Sequence, residues 1–218
     1  MNQYKLIIFD LDGTILDTTE GILSSVNYTI EKYNLPKPSY ETLLSFIGPP
    51  IQLSFKKIYD LPDEKIQEMA VVFRNCYSES ENLYKAIAYE GIYELFSYLV
   101  AHGYKVAIAT YKREDYALRL LKKFHFDNYT DIMFGGDNEN KLKKKDIIIK
   151  CLEKAGVDNP GEAVMIGDTE HDANGAKELG LDFIAVTYGF GFHAEDFSGK
   201  AGGVKKVDKA LDVINYLS

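Results

Sequence analysis

The stretch that decides the fold runs from Leu6 to Thr14, LIIFDLDGT, where four apolar residues lead directly into two aspartates and a glycine. A short run that is apolar on both faces is typical of a buried strand in a parallel sheet. Because side chains alternate along a strand, Asp10 and Asp12 point the same way, and Gly13 lets the backbone turn tightly behind them. A buried strand therefore ends by presenting two carboxylates in one turn.

Two carboxylates that point the same way repel each other, and the repulsion raises the pKa of one of the pair. Such a pair is tolerated when a cation, a shared proton or a role in catalysis compensates for it, and a metal ion is the natural candidate. The alternative is that the Asp-Gly pair marks an ordinary turn in which Asp12 caps the following helix.

Further apolar runs indicate that this strand belongs to a larger sheet. Four of them predict strands at Val106–Ala109, Ile132–Phe134, Ala163–Ile166 and Phe183–Val186. Apolar residues at helical spacing predict helices at Ile92–Leu99, Arg113–Phe124, Lys145–Leu152 and Asp172–Leu179, the last ended by Gly180. Strands that alternate with helices in this way predict an α/β fold with a parallel sheet core.

Far more chain separates the first strand from the second than one crossover helix requires, so a helical cap is predicted between them. Residues with helical spacing form the segments Ile22–Tyr33, Tyr40–Ile47, Ile51–Ile58 and Ile66–Tyr77. We place the cap at residues 16–84 and the core at residues 1–15 and 85–218.

Composition narrows the class of protein. The chain has 218 residues with 33 acidic and 25 basic side chains, a net charge of -8, which disfavours nucleic acid as a partner but allows a locally basic pocket for a small anion. The two cysteines, Cys76 and Cys151, lack metal-ligand spacing and are expected to be reduced thiols. Neither a secretion signal nor a run of about 18 apolar residues is present, so we expect a cytoplasmic protein without a membrane partner.

Ligands of open parallel sheets bind beyond the carboxyl ends of the strands, so the residues at those ends are the candidates for a site. Polar and small residues follow the first four strands, at Asp10 and Asp12, Thr110–Lys112, Gly135–Asp137 and Gly167–Asp172. We expect them to converge on one crevice.

The motif residues in order are Asp10–Thr14 with Asp17, Thr110 after the second strand, a lysine near 144, and Gly167-Asp168 with Asp172. In these the chain resembles a haloacid dehalogenase (HAD) superfamily phosphatase of the phosphoglycolate phosphatase-like branch. The resemblance implies a Rossmannoid parallel sheet core with an inserted α-helical cap.

The resemblance also implies roles for the aspartates. Asp10 would be the nucleophile that takes the phosphoryl group, and Asp12 would be the general acid and base. Mg²⁺ would be bound by Asp10, Asp168 and the backbone carbonyl of Asp12, with Asp172 supporting from outside the ligand set. Taken alone, Asp172 could equally be a helix N-terminal charge that the helix dipole favours.

Thr110 and one lysine would complete the catalytic set by holding phosphoryl oxygens. Thr110 could alternatively be only a polar strand end. Lys143, Lys144 and Lys145 precede a helix, and such a run is usually a solvated face. The resemblance selects Lys144, with Lys145 as the second choice.

Substrate contacts are expected from Gly13, Thr14 and Tyr111 in the core and from Gly48 and Pro49 in the cap. Tyr111 stands where relatives often have Ser or Asn, so the pocket for the leaving group is expected to differ. The Gly48-Pro49 turn resembles one that faces the site in relatives; alone, it could be a linker.

In the cap, Lys56 or Lys57 would meet a substrate carboxylate or a second phosphate, unless both are exposed helix charges.

The resulting hypothesis is a Mg²⁺-dependent phosphatase that hydrolyses a small phosphorylated metabolite such as phosphoglycolate, a nucleotide or a sugar phosphate, as a monomer or homodimer. The alternatives are an inorganic pyrophosphatase, a β-phosphoglucomutase-like phosphotransferase and a non-catalytic binding protein that kept the fold. A dehalogenase is disfavoured because a departing halide needs no acid at Asp12.

Overall fold

The computed structural model describes residues 4–79, 81–139, 141–193 and 205–217. The chain divides into two compact units, one formed by Met1–Asp17 with Ala88–Ser218 and the other by Thr18–Ile87. Residues 1–3 lie outside the described residues. They belong to the N-terminal stretch in which the sequence analysis expects no secretion signal.

The strands of the described chain are β1 (Leu6–Phe9), β2 (Leu16–Asp17), β3 (Ile87–Ala88), β4 (Lys105–Arg113), β5 (Met133–Gly136), β6 (Ala163–Gly167), β7 (Asp182–Val186) and β8 (Lys205–Val207). The α-helices are α1 (Thr19–Lys32), α2 (Tyr40–Leu44), α3 (Ile51–Ile58), α4 (Asp63–Glu79), α5 (Ile92–Ala101), α6 (Glu114–Lys123), α7 (Lys144–Ala155) and α8 (Glu170–Leu179). Short 3₁₀ helices lie at Glu81–Tyr84, Phe126–Asn128, Pro160–Glu162 and Ala210–Tyr216.

The first unit is built on a six-stranded parallel sheet in the order β5-β4-β1-β6-β7-β8. Phe9 at the end of β1 lies opposite Ile108 of β4 and Ile166 of β6, so the residues that follow these three positions lie at the same edge of the sheet. The α/β fold and the five predicted strands are thereby confirmed. The separate two-stranded sheet of β2 and β3 was not predicted, because its strands are only two residues long.

The sequence analysis also missed β8, the sixth strand of the main sheet. Lys205 and Lys206 occupy two of its three positions, so it carries no apolar run. Lysines on an edge strand keep other chains from pairing with it, which is why edge strands often lack the apolar signature of central ones.

Helices cover both faces of the sheet because strand side chains alternate. Leu6 and Ile8 point into a fully buried cluster with Ile147, Ile148 and Cys151 of α7. On the opposite face the ring of Phe9 lies 4.8 Å from that of Phe96 in α5. The predicted core helices are confirmed with ends shifted by a few residues, and α8 ends at Gly180 with a left-handed φ of 75°, as its position predicted.

The second unit contains helices α1 to α4, as the apolar spacing predicted. Phe55 of α3 packs edge-on against Phe46, with ring centroids 5.1 Å apart. Ser39 caps α2 by accepting a hydrogen bond from the Thr42 amide, and Pro50 precedes α3. None of the helices described combines the length and the apolar character that crossing a membrane would require.

The packing of Phe96 predicts a measurable loss of stability. Its ring is fully buried against Phe9, Phe126 and Tyr129. Replacing it with alanine leaves a cavity and should lower the free energy of unfolding by about 3–5 kcal/mol, measured by urea denaturation. Val100→Ala on the exposed face of the same helix is the control and should change it by less than about 0.5 kcal/mol. Equal effects of the two substitutions would contradict this packing.

Candidate active site

Asp10 extends the central ladder of the sheet by one residue. Its amide donates a hydrogen bond of 2.9 Å to the carbonyl of Ile166, so the backbone is held where β1 and β6 end. Gly13 then turns the chain with φ 85°, and a Cβ at this position would stand 2.3 Å from a carboxylate oxygen of Asp168. Glycine is required here both by the left-handed backbone and by the closeness of Asp168.

Three buried carboxylates meet at this edge of the sheet. Oxygens of Asp10, Asp168 and Asp172 all lie within 4.8 Å of one another. Burial, partly offset by Lys144 and reinforced by Asp172, raises the pKa of Asp10 to about 7. Burial followed by the charges of Asp172 and Asp10 raises the pKa of Asp168 well above its ordinary value. The buried cluster therefore favours a protonated carboxyl over an ionised one unless a cation compensates for the charge.

Lys144 is the ammonium inside this cluster. Its side chain is 3% exposed, and its Nζ lies 2.5 Å from Asp10 and 2.6 Å from Asp172. Burial opposes the charge of Lys144, but Asp10 and Asp172 outweigh it and raise the pKa of Lys144 above its ordinary value. Lys143 is exposed at the helix start, and Lys145 forms a surface pair with Glu178. Of the three candidate lysines, the structure brings Lys144 to the cluster.

Asp12 forms an ion pair with Lys112, which the sequence analysis did not select as a functional residue. Lys112 Nζ donates hydrogen bonds of 2.9 and 3.0 Å to the two carboxylate oxygens of Asp12. The two side chains are 5% and 6% exposed. The available signal was position: Lys112 follows Thr110 by two residues in β4, beside the residues predicted to line the crevice.

Asp168 is held by the loop that follows β7. One of its carboxylate oxygens accepts hydrogen bonds from the amides of Phe190, at 2.7 Å, and Gly191, at 3.2 Å. The hydroxyl of Thr14 lies 3.5 Å from the other oxygen. A Cβ on Gly189 would approach Asp168 to 2.5 Å, so the glycine lets this loop come close. Backbone amides therefore orient Asp168, a contribution that side-chain patterns do not reveal.

Asp172 is held in the first turn of α8. One of its oxygens accepts hydrogen bonds from the Thr169 amide, at 3.1 Å, and hydroxyl, at 2.7 Å, and the other faces Lys144. A Cβ on Gly167 would stand 2.4 Å from the Asp172 carboxyl carbon. The helix start and the ion pair together fix Asp172 beside Asp10.

Thr110 and Tyr111 lie at the end of the neighbouring strand. The buried Thr110 hydroxyl oxygen accepts a hydrogen bond of 3.1 Å from the Lys112 amide, which leaves its hydrogen to donate to a ligand. The Tyr111 hydroxyl accepts a hydrogen bond of 2.9 Å from the Lys144 amide. The ring of Tyr111 meets the exposed His171 edge-on at 5.3 Å. Through this hydrogen bond Tyr111 holds the first residue of α7, Lys144, in place.

Gly48 and Pro49 belong to the second unit, between α2 and α3, where Gly48 adopts a left-handed φ of 98°. Lys56 forms an exposed pair with Asp63 at 2.5 Å, and Lys57 is exposed. Contacts of Gly48 and Pro49 with a substrate remain a prediction, as does the role of the two lysines.

The carboxylate cluster fits a hard divalent cation. All its donors are oxygens, and Lys144 supplies one positive charge against the three carboxylates Asp10, Asp168 and Asp172. Mg²⁺ prefers carboxylate oxygens and water, whereas Zn²⁺ selects nitrogen and sulfur ligands. The donor set is therefore suited to Mg²⁺. Asp10 and Asp168 are the candidate carboxylate ligands, because Asp172 is already engaged in the N-terminal cap of α8.

Comparison with known proteins matches residues 7–186 to the family described as haloacid dehalogenase-like hydrolase. A 5'-nucleotidase from Pseudomonas aeruginosa is 32% identical over 194 residues, which cover 88% of this chain and 87% of that protein. Pyrophosphatase PpaX from Halalkalibacterium halodurans is 33% identical over 196 residues, covering 89% and 88%. The solved structure of a haloacid dehalogenase-like family hydrolase from Streptococcus pneumoniae superposes with a TM-score of 0.87 at 30% identity, covering 98% of each chain.

The raised pKa of Asp10 predicts how a metal ion changes stability with pH. The unfolded carboxyl loses its proton near pH 4, whereas the folded one keeps it to about pH 7. The proton on Asp10 therefore stabilises the folded state relative to the unfolded one. This stabilisation is complete below about pH 4 and is lost as the pH rises through about 7. Mg²⁺ bound at the cluster would replace the proton, so added Mg²⁺ should raise the melting temperature more at about pH 8 than at about pH 5. A Mg²⁺ effect that is equal at both pH values would contradict this arrangement.

Lys144 should matter for folding as well as for chemistry. Lys144→Met leaves Asp10 and Asp172 buried without their ammonium, and should lower the free energy of unfolding by about 3–5 kcal/mol in metal-free protein at about pH 8. The loss should shrink at about pH 5, where the carboxyl of Asp10, with its pKa raised to about 7, takes up a proton. Lys145→Met, which breaks only a surface pair, is the matched control and should leave the urea midpoint nearly unchanged. Similar midpoints for the two variants would place Lys144 outside the cluster.

Proposed function

Because the chain belongs to the haloacid dehalogenase-like hydrolase family, we propose that it is a Mg²⁺-dependent phosphatase. It hydrolyses a small phosphomonoester, such as phosphoglycolate, a nucleotide or a sugar phosphate, through a phosphoryl group carried on Asp10. The observation that carries the proposal is the buried cluster of Asp10, Asp168 and Asp172 at the ends of the central strands, with Lys144 paired to Asp10 and Asp172.

In the first half of the reaction, a carboxylate oxygen of Asp10 attacks the phosphorus atom. The bond from phosphorus to the leaving oxygen breaks, and Asp12 gives that oxygen a proton. Asp10 now carries an acyl phosphate. The rigid backbone of Asp10, held by the Ile166 carbonyl, keeps the attacking oxygen in place, which reduces the entropy lost on reaching the transition state.

In the second half, water attacks the same phosphorus atom and Asp12, now ionised, takes a proton from it. The bond between phosphorus and the Asp10 oxygen breaks, which releases inorganic phosphate and restores both aspartates to their starting states. One carboxyl therefore serves as acid and then as base.

The phosphoryl oxygens need donors as charge builds on them. The Thr110 hydroxyl and the Lys144 ammonium supply two such donors at the strand ends. Asp10, Asp168 and the Asp12 backbone carbonyl would hold Mg²⁺, which when bound screens the phosphoryl charge from the carboxylates. Asp172 is a positioning residue that orients Lys144.

Inorganic pyrophosphate is the second candidate substrate. It is favoured by the relative named Pyrophosphatase PpaX, which is 33% identical over 89% of this chain. The same steps apply, with phosphate as the leaving group. A phosphotransferase would differ in returning the phosphoryl group to a sugar instead of water.

A cytoplasmic location and a monomeric or homodimeric state complete the proposal. The location rests on the cysteine usage described above, and the acidic net charge of -8 supports a small metabolite over nucleic acid as the partner.

Asp10→Asn should abolish phosphate release from p-nitrophenyl phosphate in the presence of Mg²⁺, with a loss of at least about a thousandfold in kcat. Acid-quenched wild-type protein should carry a phosphoryl group on the peptide that contains Asp10, detected by mass spectrometry. Asp158→Asn, at an exposed loop position, is the control and should retain activity. Phosphorylation of another side chain, or no hydrolysis by the wild type over a broad phosphate panel, would overturn the proposal.

A further inference from the structure

The chemistry above makes no use of Lys112, although its ammonium donates hydrogen bonds to both carboxylate oxygens of Asp12. Its Nζ lies 2.9 and 3.0 Å from the two Asp12 oxygens. The Lys112 side chain is 5% exposed, close to the 6% of Asp12 and the 8% of Asp10. The lysine is therefore as deeply placed in the site as the two aspartates that would act on the substrate.

A hydrogen bond from its own amide fixes the position of the Lys112 backbone. The Lys112 amide donates a hydrogen bond of 3.1 Å to the hydroxyl oxygen of Thr110. Strand β4 continues to Arg113, past the point where its register with β5 shifts. Lys112 therefore lies two residues from Thr110, whose hydroxyl is the proposed hydrogen-bond donor to the phosphoryl oxygens.

The position of Asp12 locates Lys112 relative to the leaving group. A general acid must come within about 2.6–3.2 Å of the oxygen that it protonates. With Lys112 bonded to the same carboxylate, its ammonium lies within about 6 Å of that oxygen. A carboxylate or phosphate one or two bonds beyond the leaving oxygen would be within reach of the ammonium.

The two lysines of the site face different partners. Lys144 is bound between Asp10 and Asp172, on the side of the nucleophile. Lys112 is bound to Asp12, on the side of the acid that protonates the leaving oxygen. A charge interaction at such a buried position is screened less than one at the surface, so it discriminates strongly between anionic and neutral groups.

We propose that Lys112 determines substrate specificity, by binding a negative charge on the leaving group next to the bond that breaks. The favoured substrates are phosphoesters or anhydrides whose leaving group carries a carboxylate or a phosphate, over esters of neutral alcohols, sugars and nucleosides. This inference rests on the proposed phosphatase function and narrows its substrate class.

The test compares two substrates that differ mainly in the charge of the leaving group. These are 2-phosphoglycolate, with a carboxylate, and 2-hydroxyethyl phosphate, with a neutral hydroxyl in its place. kcat/KM is measured for both with wild type, Lys112→Met and Lys112→Arg, and inorganic pyrophosphate serves as a second anionic substrate. Lys123→Met, an exposed lysine on α6, is the matched control.

Wild type should prefer phosphoglycolate, and Lys112→Met should reduce that preference by about tenfold or more. Lys112→Arg should retain part of the preference, and Lys123→Met should keep all of it. If Lys112→Met does not fold, Lys112→Gln, which can still donate to Asp12, takes its place in the same comparison.

Equal losses on both substrates would overturn the inference, because they would show that Lys112 acts only by orienting Asp12. Wild type that prefers the neutral ester would also overturn it. Both results leave the phosphatase function standing. Wild type that hydrolyses none of the three substrates nor any other phosphate ester would instead overturn the proposed function, and the inference with it.

Discussion

The structure of the site depends on compensating the charge of three carboxylates buried at the ends of the central strands. Asp10, Asp168 and Asp172 have oxygens within 4.8 Å of one another, and the Lys144 ammonium is paired with Asp10 and Asp172. Ions that lose their water at this depth are tolerated only with close partners. Burial raises the pKa of Asp10 to about 7 although Lys144 opposes the shift, so a cation is the expected complement of the ionised cluster.

The surrounding elements serve this arrangement by holding each charged group from its backbone side. The Ile166 carbonyl fixes the Asp10 amide, the Phe190 and Gly191 amides fix Asp168, and the start of α8 fixes Asp172. Small residues are needed where these segments meet, because a Cβ on a glycine beside the cluster would collide with a carboxylate. Preorganisation of this kind means that the groups need not rearrange as charge develops on a substrate.

Much of this architecture could be predicted from local patterns. The strand before Asp10 was recognisable because central strands of a parallel sheet are apolar on both faces, and α8 because an amphipathic run ends at Gly180. The edge strand β8 was not, since two of its three residues are lysines. The amides that bind Asp168 were equally hidden, because every residue has an amide and only the path of the chain decides which of them meet a carboxylate.

The sequence by itself determined the α/β class, the order of the core elements and the identity of the acidic residues at the strand ends. Those follow from side-chain periodicity and turn chemistry, which act over a few neighbouring residues. Only the tertiary structure decided which lysine joins which aspartate: Lys144 with Asp10, across 134 positions of chain, and Lys112 with Asp12, across 100. Pairings over such separations depend on how strands align in the sheet, because parallel register brings distant residues together that no local pattern relates.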